Sequence, residues 1–213
     1  MSEPLTTAPL SLPSGHSLPS ERMTYEQFLE WIDEDTHAEW VDGWVVPMSP
    51  ANGLHDRLAA FLDTLMQLFL ETHPLGEPRG ESFQMKAGPD LPGREPDLLF
   101  IANEHLDRLH DTYLEGPADI AVEVISPDSV YRDREEKYRE YEQGGVREYW
   151  LPDPQHRQAE FFLRGEDGRY HPVPIGEDGI FHSQVLPGFW LKVEWLWEPR
   201  PKLLDILREW GLI

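Results

Sequence analysis

Residues 121–150, AVEVISPDSVYRDREEKYREYEQGGVREYW, decide the fold, because they read as a strand, a helix and a second strand. The apolar run over 120–125 predicts the first strand, and the residues from about Ser129 to Gln143 predict the helix. Gly144-Gly145 is a common helix stop, and the next apolar run lies at 147–151. With further strands elsewhere in the chain, this unit indicates a mixed sheet flanked by helices, in the α/β (α+β) class.

Polar residues mark the junction between this strand and this helix. Glu123 interrupts an otherwise apolar strand, where a buried carboxylate is costly without a partner or a metal ion. On the helix, Asp133, Lys137 and Tyr141 follow at four-residue spacing and share one stripe. Lysine is scarce, with four lysines against fourteen arginines in the chain. We therefore expect Lys137 to reach back over the strand end toward Glu123.

Helical spacing and turn residues define the elements that precede this unit. Thr24 and Gln27 resemble a capping box that starts a short amphipathic helix, which runs to about Asp35. Asp42-Gly43 lies between two apolar segments and indicates a two-residue hairpin. Apolar residues three and four positions apart predict a long helix over about 52–72, which should cover one face of a sheet.

Short apolar runs separated by Gly, Pro and Asp predict the remaining strands. Besides the two strands of the central unit, such runs lie at 82–87, 98–102 and 159–163. The C-terminal part predicts a hairpin across 177–179 and a last helix over about 201–210.

Length and composition place the chain among cytoplasmic proteins of one domain. Residues 1–20 are rich in Pro and Ser and predict a flexible tail, and residues 21–213 predict a single domain. The chain has no cysteine, which excludes disulfides and thiolate metal ligands. No stretch has the roughly 18 apolar residues of a membrane span, and no signal peptide is recognisable, so we expect no membrane partner.

The formal net charge of −22 counts against a nucleic-acid partner, because phosphate neutralisation supplies most non-specific affinity. A divalent ion held by carboxylates reverses the sign locally, so the charge does not exclude a nuclease. The segment 128–148 holds seven acids against five bases, which favours a solvated charged face over a phosphate path along its arginines.

Two carboxylates and one ammonium in this chain suit phosphodiester hydrolysis. Asp97 follows Pro96 at the head of the strand over 98–102, and neighbouring strands could bring it to Glu123 at the distances of a hard cation. The reaction needs a divalent ion, an activated water and positive charge on the phosphate. Taken alone, Asp97 is more simply an acid at a strand start, and Lys137 a solvated helix residue. Glu123 would otherwise need an ion pair with a core arginine.

Several short motifs in combination carry a resemblance that spans roughly 23–195. They are Pro96-Asp97, Glu123–Pro127, Asp133–Tyr141, Gly145–Trp150 and Asp153-Pro154, with Met23–Leu29, Glu39–Gly43, Met48–Pro50 and His55 upstream. Together they resemble the Uma-two family of predicted endonucleases, within the restriction-endonuclease-like PD-(D/E)xK superfamily. Two departures are Trp40, where a smaller aliphatic residue is common, and Pro152, which interrupts the usual apolar lead into Asp153-Pro154.

The resemblance implies a restriction-endonuclease-like core with an N-terminal hairpin and a C-terminal β extension. It implies magnesium, replaceable by manganese, held by Asp97 and Glu123, with the main-chain carbonyl of Val124 as a further ligand. Lys137 would stabilise the pentavalent phosphate from the helix rather than from the strand. Glu39, by similarity to an extra N-terminal acid in the superfamily, would complete the metal shell directly or through water, against a plain surface acid of the hairpin.

Three further residues are candidates for contact with the phosphate or with the metal ligands. His55 opens the long helix, where a packing histidine is an equal alternative to contact with water or phosphate. Asp133 would orient Lys137. For Tyr141, core packing is the plainer interpretation.

Three hypotheses of function follow. The first is a magnesium-dependent endonuclease that acts on DNA as a homodimer, because two single-metal sites are needed to cut both strands. The second is a catalytically quiet nuclease-fold module for binding or dimerisation, with protein partners that its acidic surface would favour. The third is an acid/base hydrolase with a Glu/Asp pair and no metal, which leaves the lysine without a role.

Overall fold

The computed structural model describes residues 17–33, 35–48, 53–80 and 82–213. The predicted N-terminal tail falls outside these ranges up to residue 16. The strands are β1 Ala38–Val41, β2 Trp44–Pro47, β3 Gly76–Arg79, β4 Gln84–Lys86, β5 Gly93–Arg94, β6 Leu98–Ala102, β7 Tyr113–Glu115, β8 Ile120–Val122, β9 Glu148–Asp153, β10 Gln158–Arg164, β11 Tyr170–Pro172, β12 Ile180–His182 and β13 Trp190–Lys192. The α-helices are α1 Tyr25–Trp31, α2 Gly53–Thr72, α3 Tyr138–Gly144 and α4 Leu203–Glu209. Short 3₁₀ helices lie at Asn103–Arg108 and Val193–Leu196, and a π-helical turn at Arg132–Lys137 runs into α3.

The largest sheet is mixed and has the strand order β11-β10-β9-β8-β6-β3. β8 and β9, the strands on either side of α3 in sequence, pair in parallel, whereas the other neighbours in this sheet are antiparallel. A second sheet has the order β2-β1-β5-β4-β7, in which β4 and β7 are parallel. The mixed α/β class predicted from the central strand–helix–strand unit is therefore confirmed.

The large sheet is buried on both faces, and β6 shows how. Leu98 and Phe100 pack into the core cluster that also contains the apolar face of α2. Leu99 and Ile101 point to the opposite face, into a cluster shared with Tyr141 of α3. Because side chains alternate along a strand, one short apolar run serves both cores. The sheet thus lies between α2 on one side and α3 on the other.

The helix α2 agrees with its prediction over 52–72, with Asn52 outside the described residues. Its buried positions, among them Leu58, Leu62, Leu65 and Phe69, recur three and four residues apart and cover the sheet. Within the described ranges, no helix combines the length and the apolar character that a membrane span requires.

The hairpin at Asp42-Gly43 is confirmed. β1 and β2 pair in antiparallel register, with Val41 opposite Trp44. Asp42 and Gly43 have φ values of 51° and 88°, the left-handed conformation that a two-residue turn of this kind requires at both positions. The hairpin matters for the site because β1 carries Glu39.

The predicted capping box at the start of α1 is also present. Thr24 Oγ1 accepts a hydrogen bond from the Gln27 amide at 3.3 Å, and Gln27 Oε1 accepts one from the Thr24 amide at 2.9 Å. The helix ends at Trp31, earlier than the predicted end near Asp35, because the Ile32 backbone turns to an extended conformation.

Removal of this cap gives a first testable effect. Thr24→Ala is expected to lower the free energy of unfolding by about 1 kcal/mol, because one amide of the first helical turn loses its acceptor. Urea denaturation followed by circular dichroism measures the change. Thr112 is exposed and its side chain makes no hydrogen bond with the described residues, so Thr112→Ala should stay within about 0.5 kcal/mol of the parent. An equal loss in both variants would contradict the capping role.

The central strand is shorter than predicted, because β8 ends at Val122 rather than at Ile125. Its backbone nevertheless continues beside β9, with hydrogen bonds from the Glu123 amide to the Trp150 carbonyl at 3.0 Å and from the Ile125 amide to the Pro152 carbonyl at 2.9 Å. Pro152 has no backbone N–H, so the two segments share fewer hydrogen bonds at this point. Glu123 therefore lies directly after the strand, at its carboxyl end.

The C-terminal hairpin was predicted in the wrong place. Residues 177–179 form a tight turn, in which the Gly179 amide donates to the Gly176 carbonyl at 2.9 Å, but this turn does not join two paired strands. The hairpin is made by β12 and β13, with Ile180 opposite Lys192. The connection over 183–189 holds a Pro187-Gly188 turn, with Gly188 at φ 89° and the Phe189 amide donating to the Leu186 carbonyl at 3.0 Å, and Ser183 Oγ accepts from the Val185 and Leu186 amides. This turn signal was missed in the sequence.

Candidate active site

Lys137 is the centre of the candidate site, and the structure brings it to two carboxylates. Its ammonium lies 2.8 Å from Glu123 Oε2 and 2.9 Å from Glu39 Oε1. The Lys137 and Glu39 side chains are fully buried, and that of Glu123 is nearly so. The burial of an ammonium requires compensation of this kind, because an unpaired charge is very costly away from water. Lys137 therefore reaches Glu123 as its place in the helical stripe predicts.

The π-helical turn explains how the helix presents this lysine. In an α-helix, residues four positions apart drift around the axis, since 3.6 residues complete a turn. The wider π turn, with hydrogen bonds from i to i+5, offsets this drift between Asp133 and Lys137. Asp133, Lys137 and Tyr141 are all buried as a result, and they form the predicted stripe.

Both carboxylate oxygens of Glu123 contact other side chains of the site. Tyr141 donates its hydroxyl proton to Glu123 Oε1 at 2.7 Å, while Oε2 faces Lys137. Burial raises the pKa of Glu123 to about 8, and the charges of Asp97 and Asp133 add to this effect, although Lys137 opposes it. Tyr141 is thus a core aromatic, as its plainer interpretation has it, and also a direct partner of the candidate ligand.

Asp97 is linked by a hydrogen bond to the backbone of Val124, the residue after Glu123. Its Oδ2 accepts a hydrogen bond from the Val124 amide at 2.6 Å and lies 3.0 Å from His55 Nε2. Burial lowers the pKa of His55, but the hydrogen bond and charge of Asp97 outweigh it and raise that pKa to about 9. Between described residues, no hydrogen bond ends on Asp97 Oδ1, so this oxygen remains for a cation.

Glu39 is engaged by two cations. Arg94 Nη1 contacts Glu39 Oε2 at 2.7 Å, and Lys137 occupies the side of Oε1. Burial would raise the pKa of Glu39, but the charges of Lys137 and Arg94 dominate and lower it to about 2. Glu39 is therefore ionised across the physiological range.

Arg94 was not recognised from the sequence, although it links three parts of the site. Its guanidinium is 3 % exposed, and it donates to Glu140 of α3 through Nε at 2.7 Å and Nη2 at 2.6 Å. The available signal was its position two residues before Pro96, but the partners lie 46 and 55 residues away in sequence. Short-range spacing could not identify them.

Asp133 contributes a buried carboxylate with an unused oxygen. Its Oδ1 has no hydrogen-bond partner among the described residues, and the nearest cation is Arg132 Nε at 3.7 Å. Burial raises the pKa of Asp133 despite the charge of Lys137. An unsatisfied buried acceptor near Asp97 and Lys137 is a feature that a bound cation or water would satisfy.

A different group of potential ligands lies at the opposite end of β6 and β8. Glu104, His105 and Asp119 are, in the part of the chain that the structure describes, the one set of three such residues with ligand atoms within 4.8 Å of one another. Arg147 already contacts this group, with Nη1 at 3.3 Å from Asp119 Oδ1 and 3.6 Å from Glu104 Oε1. Asp119 also accepts from the Ala102 amide at 2.7 Å. This cluster is thus charge-compensated by the protein itself.

The donor set near Lys137 nevertheless fits a hard divalent ion. Asp97 Oδ1, the Glu123 carboxylate and the Val124 carbonyl are oxygen donors of the kind that magnesium and manganese prefer. Asp133 Oδ1 adds a buried oxygen that no donor among the described residues satisfies. Glu39 fits less well, because both of its oxygens face cationic side chains.

The arginines proposed for a phosphate path are occupied by acids. Arg134 contacts Glu160 at 2.9 Å, and Arg139 contacts Glu135 at 2.7 Å. Arg132 and Arg147 likewise lie against acidic side chains. This pairing agrees with the sequence-based preference for a solvated charged face.

Comparisons with known proteins agree on the kind of fold and family. The model of the Uma2 family, described as "Putative restriction endonuclease", matches residues 25–194. A crystal structure described as that of "a putative nuclease belonging to DUF820" from Anabaena variabilis ATCC 29413 superposes with a TM-score of 0.66 at 14 % identity. The match covers 82 % of this chain and 97 % of that one, and it shows a shared fold of the restriction-endonuclease-like type. No curated protein matches the sequence.

Proposed function

The chain belongs to the Uma2 family, and on that premise we propose that it is a magnesium-dependent endonuclease that hydrolyses phosphodiester bonds in DNA. The family description, "Putative restriction endonuclease", and the description of the protein with the same fold as "a putative nuclease" both support a nuclease. The observation that carries the finer proposal is the contact of Lys137 with Glu123, next to the Asp97–Val124 hydrogen bond. Asp97 accepts from the amide of the residue after Glu123, and Lys137 contacts the Glu123 carboxylate, which supports a shared role for the three residues.

Each residue has a role in this proposal. Asp97, Glu123 and the Val124 carbonyl would hold the ion, and manganese would replace magnesium in the same place. A bound divalent ion supplies an activated water and polarises the phosphate. Lys137 places positive charge beside the scissile phosphate, where charge develops in the transition state. Tyr141 fixes the orientation of Glu123, and His55 fixes that of Asp97.

The direct test is cleavage of supercoiled plasmid by the purified protein. With Mg²⁺ or Mn²⁺, the parent protein should nick or linearise the plasmid, and chelation by EDTA should stop it. Glu123→Ala should be inactive, because it removes a ligand that nothing else replaces. Absence of cleavage with every divalent metal, or equal cleavage by Glu123→Ala, would count decisively against the proposal.

A second prediction concerns the pH dependence of metal binding. Because the pKa of Glu123 is raised to about 8, its carboxyl carries a proton below that pH, and a cation must displace it. Affinity for Mn²⁺ should therefore rise with pH and level off above about 8, with release of about one proton per ion at neutral pH. Calorimetry in two buffers of different ionisation enthalpy measures that release. Binding without proton release at neutral pH would contradict Glu123 as a ligand.

The alternative function is a catalytically quiet module that binds protein partners. The net charge of −22 and the paired arginines favour it, because they leave little positive surface for a nucleic acid. Mn²⁺ titration discriminates between the two functions. If the site is active, Asp97→Ala should lower the affinity for Mn²⁺ more than His105→Ala, a change in the distant Glu104–His105–Asp119 cluster. If the site has lost its activity, the two variants should have the same affinity for Mn²⁺.

We further propose that the nuclease acts as a homodimer, because each chain offers one such site and a duplex has two strands. Analytical ultracentrifugation with and without a DNA duplex tests this proposal. A protein that stays monomeric in both conditions and still cuts both strands would overturn it.

A further inference from the structure

Glu39 faces Lys137 rather than open space, and this arrangement carries an inference about its role. We propose that Glu39 is a positioning residue that holds the Lys137 ammonium, and not a ligand of the metal, and that Arg94 locks Glu39 in place for this task. The inference rests on the proposed nuclease function, whose site it deepens. It replaces the metal-ligand role that the resemblance implies for Glu39.

The first support is the full occupation of the Glu39 carboxylate. Oε1 lies 2.9 Å from Lys137 Nζ, and Oε2 lies 2.7 Å from Arg94 Nη1. The Glu95 amide approaches Oε1 at 3.5 Å. What sets Glu39 apart from Glu123 is that cations face both of its oxygens, whereas Glu123 has a cation at Oε2 and a hydroxyl donor at Oε1. A carboxylate that bridges two cations is a poor third ligand for another cation.

The second support is the way in which Arg94 ties the strand to the helix. Through Nη1 it holds Glu39 of β1, and through Nε and Nη2 it holds both oxygens of Glu140 on α3. The planar guanidinium fixes these two carboxylates in one rigid geometry. Glu140 follows Lys137 by three residues, so the same clamp sets the distance between β1 and the turn of helix that carries the lysine.

The third support is the remaining capacity of the ammonium. An ammonium has three N–H donors and no acceptor. Glu39 and Glu123 lie at ion-pair distance from the ammonium, which makes no hydrogen bond with the described residues, so the two acids leave at least one N–H without an acceptor. Without Glu39, the ammonium would keep its contact with Glu123 but lose the second acid that fixes its position. Loss of the Glu39 carboxylate should therefore leave the Lys137 ammonium in the site but shift it from its position beside Glu123.

The experiment compares Glu39→Gln with a matched variant, Glu135→Gln, which removes one charge from the exposed Glu135–Arg139 pair on the same helix. Three quantities are measured for each protein: Mn²⁺ affinity by calorimetry, kcat and KM for a fluorescent oligonucleotide duplex, and the ¹⁵Nζ resonance of Lys137. For Glu39→Gln we expect a fall in kcat of about 100-fold, an Mn²⁺ affinity within about threefold of the parent, and a shifted Lys137 resonance. Glu135→Gln should match the parent in all three.

Two results would overturn the inference. A loss of Mn²⁺ affinity of about tenfold or more in Glu39→Gln would make Glu39 a metal ligand after all. A parental kcat with an unshifted lysine resonance would show that Glu39 positions nothing. If Glu39→Gln does not fold, Glu39→Asp serves instead, because it keeps the charge but is too short to bridge both cations. If the parent protein itself cuts no substrate, the proposed function fails, and the Mn²⁺ affinity and the lysine resonance still decide what Glu39 holds.

Discussion

Lys137→Met is expected to lower kcat for DNA cleavage by about 10²- to 10³-fold while leaving the fold and Mn²⁺ binding in place. Methionine fills the same buried volume, but it offers no charge to the phosphate. The two acids that lose their cation tolerate the change for different reasons. Burial raises the pKa of Glu123, so this acid takes up a proton when Lys137 is removed, and Glu39 keeps its contact with Arg94.

The matched control for this variant is Lys192→Met. Lys192 pairs with Glu209 at the surface of the C-terminal part and is remote in sequence from every element of the site. It should cut DNA at the parental rate. Single-turnover cleavage with excess enzyme isolates the chemical step from binding and product release. A Lys137→Met protein that cuts as fast as the Lys192→Met control would remove the lysine from the mechanism.

Arg94→Met is expected to lower the free energy of unfolding by about 3–5 kcal/mol. The substitution removes one of two cations from the fully buried Glu39 and the only bidentate partner that the structure shows for Glu140 among the described residues. Glu39 keeps Lys137 in this variant, as it keeps Arg94 in Lys137→Met, but Arg94→Met also strips Glu140 of its bidentate cation and breaks the link between β1 and α3. Breaking a largely buried ion pair on both sides is costly, because its carboxylates lose compensation away from water. Urea denaturation monitored by tryptophan fluorescence measures the loss.

Arg139→Met is the matched control for this change in stability. Arg139 is 73 % exposed and pairs with Glu135 one helical turn away at 2.7 Å. Exposed pairs of this kind contribute little, so its loss should stay within about 0.5 kcal/mol. A difference of less than 1 kcal/mol between the two variants would mean that the Arg94 network does not stabilise the buried site as the structure suggests.

Local signals predicted the parts of the fold that short-range physics determines. The period of α2, the capping box at Thr24 and the left-handed turn at Asp42-Gly43 each depend on residues only a few positions apart. The short strands β3, β5, β7 and β13 were not predicted, because runs of two to four residues are too short to carry a period. The C-terminal hairpin was misplaced, since the 177–179 turn has the residues of a hairpin but no pairing partner.

The candidate site was predictable only where one element carries the information. The stripe of Asp133, Lys137 and Tyr141 is visible in the helix, and the sequence therefore indicates that Lys137 can approach Glu123. Arg94 and its bridge from Glu39 to Glu140 depend on a sheet pairing and a helix crossing that no short window contains. The true surroundings of Glu39 emerged only from the tertiary structure.

The ion pairs of the structure show where the few basic groups of this acidic chain are engaged. Basic groups near the site are committed to acids, so the surface around it has few free cations among the described residues. Any affinity for DNA must therefore depend strongly on the divalent ion, which changes the sign of the local field. The proposed function therefore rests on where the divalent ion binds.

Anomalous scattering of Mn²⁺ soaked into crystals of the protein locates the ion directly. We expect a peak bonded to Asp97 and Glu123, with Lys137 alongside and Glu39 still facing Arg94. A peak at Glu104, His105 and Asp119, with none between Asp97 and Glu123, would contradict it.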